Sequence, residues 1–167
     1  MIASHLDGLW VAVRVHGRHE KKVAEQLSSN GYICFLPLQK KKKGVYNDST
    51  ATEPLFPGYL FCRYRAKSTF RIVQAPGVVN IVSFCNIPAI ISEEEIDSIF
   101  KIVNSNLSPE SWQFPQEGNM VRINSGPLVG VEGVLVSGTN PSKVVVNVVV
   151  LKRSIAVTIH NSDLIPI

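Results

Sequence analysis

The sequence predicts an α+β protein in which a helix-covered sheet is followed by a small β-barrel. Three observations support this prediction. Strand and helix patterns alternate up to about residue 103. Residues 104–117 are polar and contain prolines, as linkers do. Almost every later stretch has the β-branched composition of strands. We therefore expect a first domain over residues 1–105, a linker over 106–116 and a second domain over 117–167.

The first part opens with a strand and an amphipathic helix. Residues 9–15 are rich in β-branched and aromatic side chains, which predicts a strand. A helix is predicted after Gly17, because apolar and charged side chains there separate onto two faces. Asn30-Gly31 provides the left-handed ending that many helices need. The apolar face holds Val23, Ala24 and Leu27, and the charged face largely holds Glu20, Lys21, Lys22 and Glu25.

The remaining elements of the first part follow from local signals. The polar tract from Gln39 to Thr50 contains four consecutive lysines and predicts a long exposed loop or hairpin. Ser92 and Glu95 form a capping box that opens a helix over 92–103. We expect its buried face to hold Ile96, Ile99, Phe100 and Val103. Strands are predicted at 32–38, 58–64 and 78–84, and a short helix at 68–74.

The region after residue 118 predicts short strands joined by tight turns. About fifty residues are too few for a large sandwich, whereas they fit a small barrel, which removes its own edges by closing. Glycines at 118, 126, 130 and 133 alternate with apolar residues and let a strand turn sharply. Strands are predicted at 120–124, 133–137, 143–151, 154–160 and 163–166.

Composition excludes several classes of protein. Hydrophobic residues make up 45% of the 167 residues, which is too many for a disordered chain. Three cysteines without a Cys-x-x-Cys pair argue against a zinc ribbon and against a disulfide scaffold. The sequence has no signal-peptide pattern and no long apolar run, so we expect a soluble cytoplasmic protein.

The charge is concentrated in the first part. Residues 14–71 contain twelve Lys or Arg against four Asp or Glu, whereas the residues from 108 onward contain four of each. A basic first part suggests a nucleic-acid partner, although a basic surface also aids solubility.

The sequence lacks the patterns of the common enzymes. There is no Gly-x-Ser-x-Gly elbow, no P-loop and no dinucleotide-binding glycine run. Cys62 with a histidine could be imagined as a nucleophile and base, but no further motif supports the pair. His16, His19 and Glu20 lie in a basic segment and are interpreted as surface residues. We expect no catalytic residue, no metal and no cofactor.

Phe56-Pro57-Gly58-Tyr59 is the most informative local motif. Proline fixes φ for a turn, and glycine accepts a positive φ that strains other residues. The two flanking aromatic rings are then held close to the turn. They either fill the core or form an apolar pocket for a partner's helix, because such recognition uses rigid aromatic anchors.

Taken together, the motifs resemble those of the bacterial NusG family of transcription factors, and the resemblance covers nearly the whole chain. The family's second domain, the KOW domain, corresponds to a segment that runs from Gly118 to Val136. The ending from Leu151 to Val157 is most similar to the specialised UpxY and RfaH kind of paralogue. The other matching positions are Trp10, 20–24, 56–59, 76–78, 81–82 and the capped helix at 92–103.

The resemblance implies a ferredoxin-like N-terminal domain, with an antiparallel sheet and helices, and a C-terminal SH3-like KOW barrel. The first domain would bind the β′ clamp helices of RNA polymerase through an apolar cavity and promote processive elongation of specific operons. The residues implied in polymerase binding are Trp10, Phe56, Pro57, Gly58, Tyr59 and Phe84.

Further partners are implied by the same resemblance. Non-template or upstream DNA would contact Arg18, His19 and the lysine tract, although those lysines equally fit a solvated loop. The KOW domain would bind ribosomal protein S10 or the termination factor Rho, and the protein would be a monomer without a membrane partner. A ribosome-associated or general RNA-binding KOW protein is the alternative. The implied DNA-binding residues are Arg18, His19, Lys40, Lys41, Lys42 and Lys43, and the implied KOW partner residues are Leu128, Val131, Leu151 and Arg153.

Overall fold

The computed structural model describes residues 7–40, 51–114, 117–136 and 141–167. By its internal contacts the chain forms two compact units, divided between Glu93 and Glu94. The sequence instead predicts a domain boundary after residue 105, and that boundary stays a prediction.

An antiparallel sheet forms the first unit, in the order β2-β5-β1-β6, and β9 also pairs with β1. Two hairpins, β3-β4 and β7-β8, extend from it. The elements are β1 (Trp10–Val15), α1 (Glu20–Ser29), β2 (Cys34–Phe35), β3 (Leu38–Lys40), β4 (Thr52–Pro54), β5 (Tyr59–Arg63), β6 (Val78–Ile81), β7 (Ser83–Phe84), β8 (Ile87–Pro88) and β9 (Ile90–Ile91).

The two faces of this sheet follow from the alternation of side chains along β1. Val11, Val13 and Val15 lie on the first face and are buried in a cluster with Val23 and Leu27 of α1. This outcome confirms the apolar helix face predicted from the sequence. Trp10 and Ala12 lie on the second face, which carries the candidate site.

Helix α1 begins at Glu20, three residues after Gly17, and Arg18 before it has a positive φ of 68°. Its end is as predicted: Gly31 is left-handed with φ 80°, and Tyr32 N–H donates to the carbonyl of Leu27 (3.1 Å). One prediction for α1 is wrong. Glu20 is buried, with 5% of its surface exposed, and does not lie on the solvent side with Lys21.

Three other predicted elements differ in extent. The helix expected over 68–74 is a 3-10 turn over Ile72–Gln74. The strand expected over 32–38 is divided into β2 and β3. The strand expected over 78–84 is divided into β6 and β7, because β7 turns back through Cys85 and Asn86, both with positive φ, into β8.

The second unit contains a helix and a six-stranded antiparallel sheet in the order β10-β14-β13-β12-β11-β15. Five of its strands agree within two or three residues with those predicted. The pairings along the described residues do not join β10 to β15, so closure into a barrel stays a prediction. The elements are α2 (Glu93–Asn104), β10 (Glu110–Trp112), β11 (Met120–Ile123), β12 (Glu132–Val136), β13 (Ser142–Val148), β14 (Arg153–Ile159) and β15 (Leu164–Pro166).

The segment predicted as a linker contains a strand. Residues 110–112 pair with β14, and Lys143 places its ammonium 4.7 Å from the ring centre of Trp112 and 3.0 Å from a carboxylate oxygen of Glu110. The predicted linker therefore contains a strand that pairs with the second sheet, and the expectation that Trp112 packs against something is confirmed.

Helix α2 has the predicted extent but a different buried face. Ile96, Ile99 and Ile102 are buried, whereas 53% of Phe100 is exposed and Val103 is half-buried. Phe100 lies about 100° round the helix from Ile99, at the margin of the apolar stripe, so its assignment to the buried face is wrong. No helix in the described ranges is long and apolar enough to cross a membrane.

Candidate partner-binding site

The Phe56–Tyr59 segment forms a tight turn anchored on both sides. Tyr59 N–H donates to the carbonyl of Phe56 (3.1 Å), and Val15 N–H donates to the carbonyl of Gly58 (2.9 Å). Gly58 has φ 84°, a conformation that strains any residue with a Cβ. Phe56 is buried, Pro57 is exposed and Tyr59 is half-buried. The turn therefore holds one ring in the core and leaves part of the other accessible.

Glu20 fixes this turn to helix α1. Its Oε1 accepts a hydrogen bond from Gly58 N–H at 2.9 Å. The carboxylate lies in the first turn of the helix, where the helix dipole also favours negative charge. This role of Glu20 was not predicted from the sequence. The acidic first turn was a visible signal, but nothing in the sequence indicates that its partner lies 38 residues away.

Three phenylalanines form a continuous row on the second face of the first sheet. The ring of Phe61 lies 6.0 Å from that of Phe35, roughly stacked, and 5.9 Å from that of Phe56, edge to face. Ala12 lies opposite Phe61 in the sheet and leaves room for these rings. Phe56, Phe61 and Ala12 are buried. We call Phe35, Phe56, Phe61 and Trp10 the aromatic face.

Trp10 lies at the end of the aromatic face away from the Phe56–Tyr59 turn, where the Arg63–Glu93 ion pair holds it. Its indole N–H donates to Glu93 Oε2 (3.1 Å), and the Arg63 guanidinium donates to both oxygens of Glu93 (2.7 and 3.0 Å). The same guanidinium lies 4.7 Å from the Trp10 ring centre. The hydrogen bonds from Arg63, supported by that from Trp10, hold the pKa of Glu93 below its ordinary 4.5.

Tyr59 and Phe84 differ in their relation to this face. Tyr59 lies opposite Arg14, two pairs beyond Ala12 and Phe61 and therefore on the same face, which it continues toward the end of β1. Phe84 lies in the β7-β8 hairpin beside Ile87, and 55% of it is exposed. Among the described residues the structure gives no ring contact between Phe84 and the aromatic face. Of the six implied polymerase-binding residues, five belong to the face or its turn.

The implied DNA-binding residues are only partly brought together. Arg18 and His19 are exposed and adjacent at the start of α1, and His19 Nδ1 lies 3.1 Å from the carbonyl of Gly17. Lys40 is exposed at the end of β3 and lies opposite Thr52 in the β3-β4 hairpin. The ammonium of Lys21 donates hydrogen bonds to the carbonyl and the hydroxyl oxygen of Thr52. Three further implied residues, Lys41, Lys42 and Lys43, lie outside the described residues.

The four implied KOW partner residues divide by burial. Leu128, Val131 and Leu151 are buried core side chains, and Arg153 at the start of β14 is exposed. A partner can contact the side chain of Arg153 directly. The other three side chains are buried, so they can affect partner binding only through the packing beneath the surface. Gly133 in β12 belongs to the same core, because a Cβ there would lie 2.7 Å from the carbonyl oxygen of Val145.

The cysteines occupy three different environments. Cys34 and Cys62 face each other across β2 and β5, with sulfurs 3.6 Å apart, and Cys85 is exposed in the β7-β8 turn. The hydrogen bond between the two thiols lowers the pKa of Cys34 and raises that of Cys62, and burial raises the pKa of Cys62 further. The described residues contain no group of three or more side chains that could hold a metal ion.

The fold and the site define an antiparallel α+β module whose distinctive feature is an aromatic face ending in a rigid turn. A family model described as transcription termination factor nusG matches residues 8–100, which is more than half of the chain. The chain therefore belongs to the NusG family of transcription factors.

Several solved structures align with this chain. A structure that describes domain interaction in NusG of Thermotoga maritima aligns with 93% of this chain and 95% of its own, at 23% identity and a TM-score of 0.57. At this identity the likeness concerns the fold. Crystal structures of the MjSpt4:Spt5 complex in conformations A and B also match, at 16% and 15% identity. Both alignments cover 95% of this chain, and they cover 98% and 97% of the aligned chains, at a TM-score of 0.34.

Proposed function

We propose that this protein is a transcription elongation and antitermination factor that binds the β′ clamp helices of RNA polymerase through its aromatic face. Membership of the NusG family supports the class of function. The observation that carries the proposal is the Gly58–Glu20 hydrogen bond, because it fixes the backbone turn that presents the half-exposed Tyr59 at the end of a buried aromatic row. A turn whose backbone is already ordered loses little conformational entropy when a partner helix binds it.

The roles of the side chains follow from their burial. Tyr59 offers the ring that a helix can contact, and Pro57 beside it is exposed. Phe56 and Trp10 support the face from within. Binding that bridges the clamp to the opposite side of the cleft would hold the DNA channel closed. Such a ligand favours elongation because it binds the closed state of the polymerase better than the open state.

The charged first part fits a secondary contact with DNA. Arg18 and His19 are exposed side by side, and Lys40 leads into the lysine tract. Phosphate contacts from these side chains would add affinity that weakens with salt. We propose that they assist a factor already bound to polymerase.

We propose that residues 117–167 form a KOW barrel that recruits a further partner, ribosomal protein S10 or Rho, through Arg153 and the surface around it. We propose that the chain divides into a first domain over residues 1–105, a linker over 106–116 and a second domain over 117–167. We further propose that the protein has no enzymatic activity, acts in the cytoplasm as a monomer, and serves specific operons in the manner of the UpxY and RfaH paralogues.

A binding experiment tests the polymerase interaction. The purified full chain is titrated with a clamp-helix fragment of RNA polymerase from the same organism, beside Tyr59→Ala and Tyr59→Phe. Loss of a central aromatic anchor costs about 2 kcal/mol or more, which is about a 25-fold loss of affinity. Tyr59→Phe keeps the ring and should bind nearly as the wild type does.

Tyr64→Ala is the matched control, because Tyr64 is also half-buried but packs against the core on the first face. Its affinity for the fragment should stay within about twofold of wild type, since interface energy is concentrated in few residues. Equal losses in Tyr59→Ala and Tyr64→Ala would contradict the assigned face. A folded wild-type protein that binds RNA but not the fragment would favour the RNA-binding alternative.

A further inference from the structure

A second concave site lies in the first unit, on the side of the sheet that packs against α1. It is a cavity of about 370 Å³ between the end of β5, the loop that follows it and β6. Its polar lining consists of two tyrosines, two arginines and a serine: Tyr32, Tyr64, Arg65, Ser68 and Arg71. This volume lies at the lower end of the range of about 300–1,000 Å³ for small-ligand pockets, so it suits one compact ligand.

The charge of the cavity points to an anion. Arg65, Lys67 and Arg71 occur within seven residues that contain no carboxylate. The carboxylate of Asp7 is committed to this loop through a hydrogen bond from Ala66 N–H (2.9 Å). In the described part of the chain no protein acceptor is recorded for the guanidinium of Arg71. Arginine prefers phosphate or carboxylate oxygens, which it binds with two parallel hydrogen bonds.

Arg65 is already oriented toward the cavity. One of its Nη1 hydrogens is donated to the carbonyl of Gly31 (2.7 Å), and the guanidinium carbon lies 6.0 Å from the Tyr32 ring centre. Gly31 makes room for this contact, because a Cβ there would lie 2.9 Å from Arg65 Nη1. The remaining N–H groups of Arg65 stay available to a ligand, and the side chain is held without blocking them.

Two of the three hydroxyl groups in the lining, those of Tyr32 and Ser68, already donate to the protein. Tyr32 Oη–H donates to the carbonyl of Phe70 (2.6 Å), and Ser68 Oγ–H donates to the same carbonyl (2.8 Å). The charged donors to a ligand are therefore the two arginines, and the hydroxyl of the half-buried Tyr64 is a further neutral donor. The rest of the lining is apolar, namely Ala66, Ile72, Val73 and Ile81.

We propose that this cavity binds a nucleotide, with the phosphate on Arg65 and Arg71 and the base against Tyr64. A ring beside an apolar wall accepts the flat face of a base, and bases stack on aromatic side chains and on guanidinium planes. The cavity holds one base and one phosphate. The nucleotide is either a free molecule or a single unit of an RNA strand, and this site goes beyond the proposed polymerase contact.

A titration of the full chain followed by amide chemical shifts tests the site. The probes are AMP, inorganic phosphate and an RNA octamer, added separately. AMP should cause saturable shifts in the amides of residues 64–72, and inorganic phosphate should bind more weakly because it lacks the base. Tighter binding of the octamer than of AMP would assign the site to a strand, and equal binding would assign it to the free nucleotide.

Arg71→Gln and Lys67→Gln form the matched pair of variants. Both remove one positive charge from the same exposed loop, but only Arg71 lines the cavity. Arg71→Gln should weaken AMP binding about tenfold, as expected for a charge-assisted hydrogen bond. Lys67→Gln should change it by less than about twofold, since exposed charges are screened.

Three results would overturn the proposal: equal losses in the two variants, equal binding of phosphate and AMP, or no saturable shifts at about 1 mM nucleotide. Neither variant should alter binding of the clamp-helix fragment. Failure of this site is therefore distinguishable from failure of the polymerase contact.

Discussion

The buried carboxylate of Glu20 allows the sharpest test of how the turn is held. Replacing Glu20 with alanine removes the acceptor for Gly58 N–H, which lies 2.9 Å away. Hydrogen bonds to charged groups contribute about 1.5–3 kcal/mol, and a carboxylate in the first helical turn adds about 0.3–1 kcal/mol. We therefore expect Glu20→Ala to lower the free energy of unfolding of the first unit by about 2–3 kcal/mol.

Two further variants separate the causes of that loss. Glu20→Gln keeps an acceptor oxygen at the same place without the charge, so it should cost only about 1 kcal/mol. Glu25→Ala is the control, because Glu25 is an exposed glutamate of the same helix. Surface changes of this kind usually stay within about 0.5 kcal/mol.

The assay uses the two tryptophans of the chain, one in each unit. In a Trp112→Phe background, Trp10 fluorescence reports the unfolding of the first unit in urea. A loss of about 2–3 kcal/mol lowers the urea midpoint by about 1–1.5 M at a slope near 2 kcal/mol per M, the middle of the range of about 1–3 for small proteins. If Glu20→Ala and Glu25→Ala unfold at the same urea concentration, Glu20 does not hold the turn.

Two other predictions concern titratable groups. Because the pKa of Glu93 is lowered, the contact that holds Trp10 should be complete above pH 4.5 and lost as the pH falls through that lower pKa. The Trp10 indole N–H resonance, followed against pH, should have its midpoint below 4.5; a midpoint above that value would contradict the assignment. In pulsed alkylation read by mass spectrometry, Cys85 should react first and Cys62 only after unfolding. Cys34 should react more slowly than Cys85, because its partial burial limits access more than its lowered pKa favours the thiolate. Modification of Cys62 in the native protein as fast as Cys85 would contradict its burial.

Local signals predicted most of the elements. Asn30-Gly31 indicates the end of α1. Many helices end in a left-handed residue, and glycine adopts that conformation whatever its neighbours are. The strands after residue 118 were predicted within a few residues, because β-branched side chains and glycine turns alternate there. The aromatic turn at Phe56–Tyr59 was also visible from its residue types.

Contacts between distant segments could not be predicted. Glu20 is charged and lies among lysines, so its helix position alone favours solvent, and its burial depends on a turn 38 residues away. Phe100 is apolar and lies four residues after Ile96, so the helical spacing alone allows it to be buried. Only the packing of α2 determines that Ile102 is buried and Phe100 is exposed. The strand at Glu110–Trp112 follows Pro109 in a polar segment, and its pairing with β14 is fixed by tertiary structure.

The strands that end the two sheet orders are short and lie close to prolines. An exposed edge strand offers unpaired backbone groups to another chain and can nucleate aggregation. Here β2, β6, β10 and β15 have only two to four residues each. A proline, which lacks an N–H, lies in or within two residues of every one of them. These prolines are Pro37, Pro76, Pro109 and Pro166. In the described ranges, the end strands of the two sheets thus leave little edge on which a second copy could add a strand.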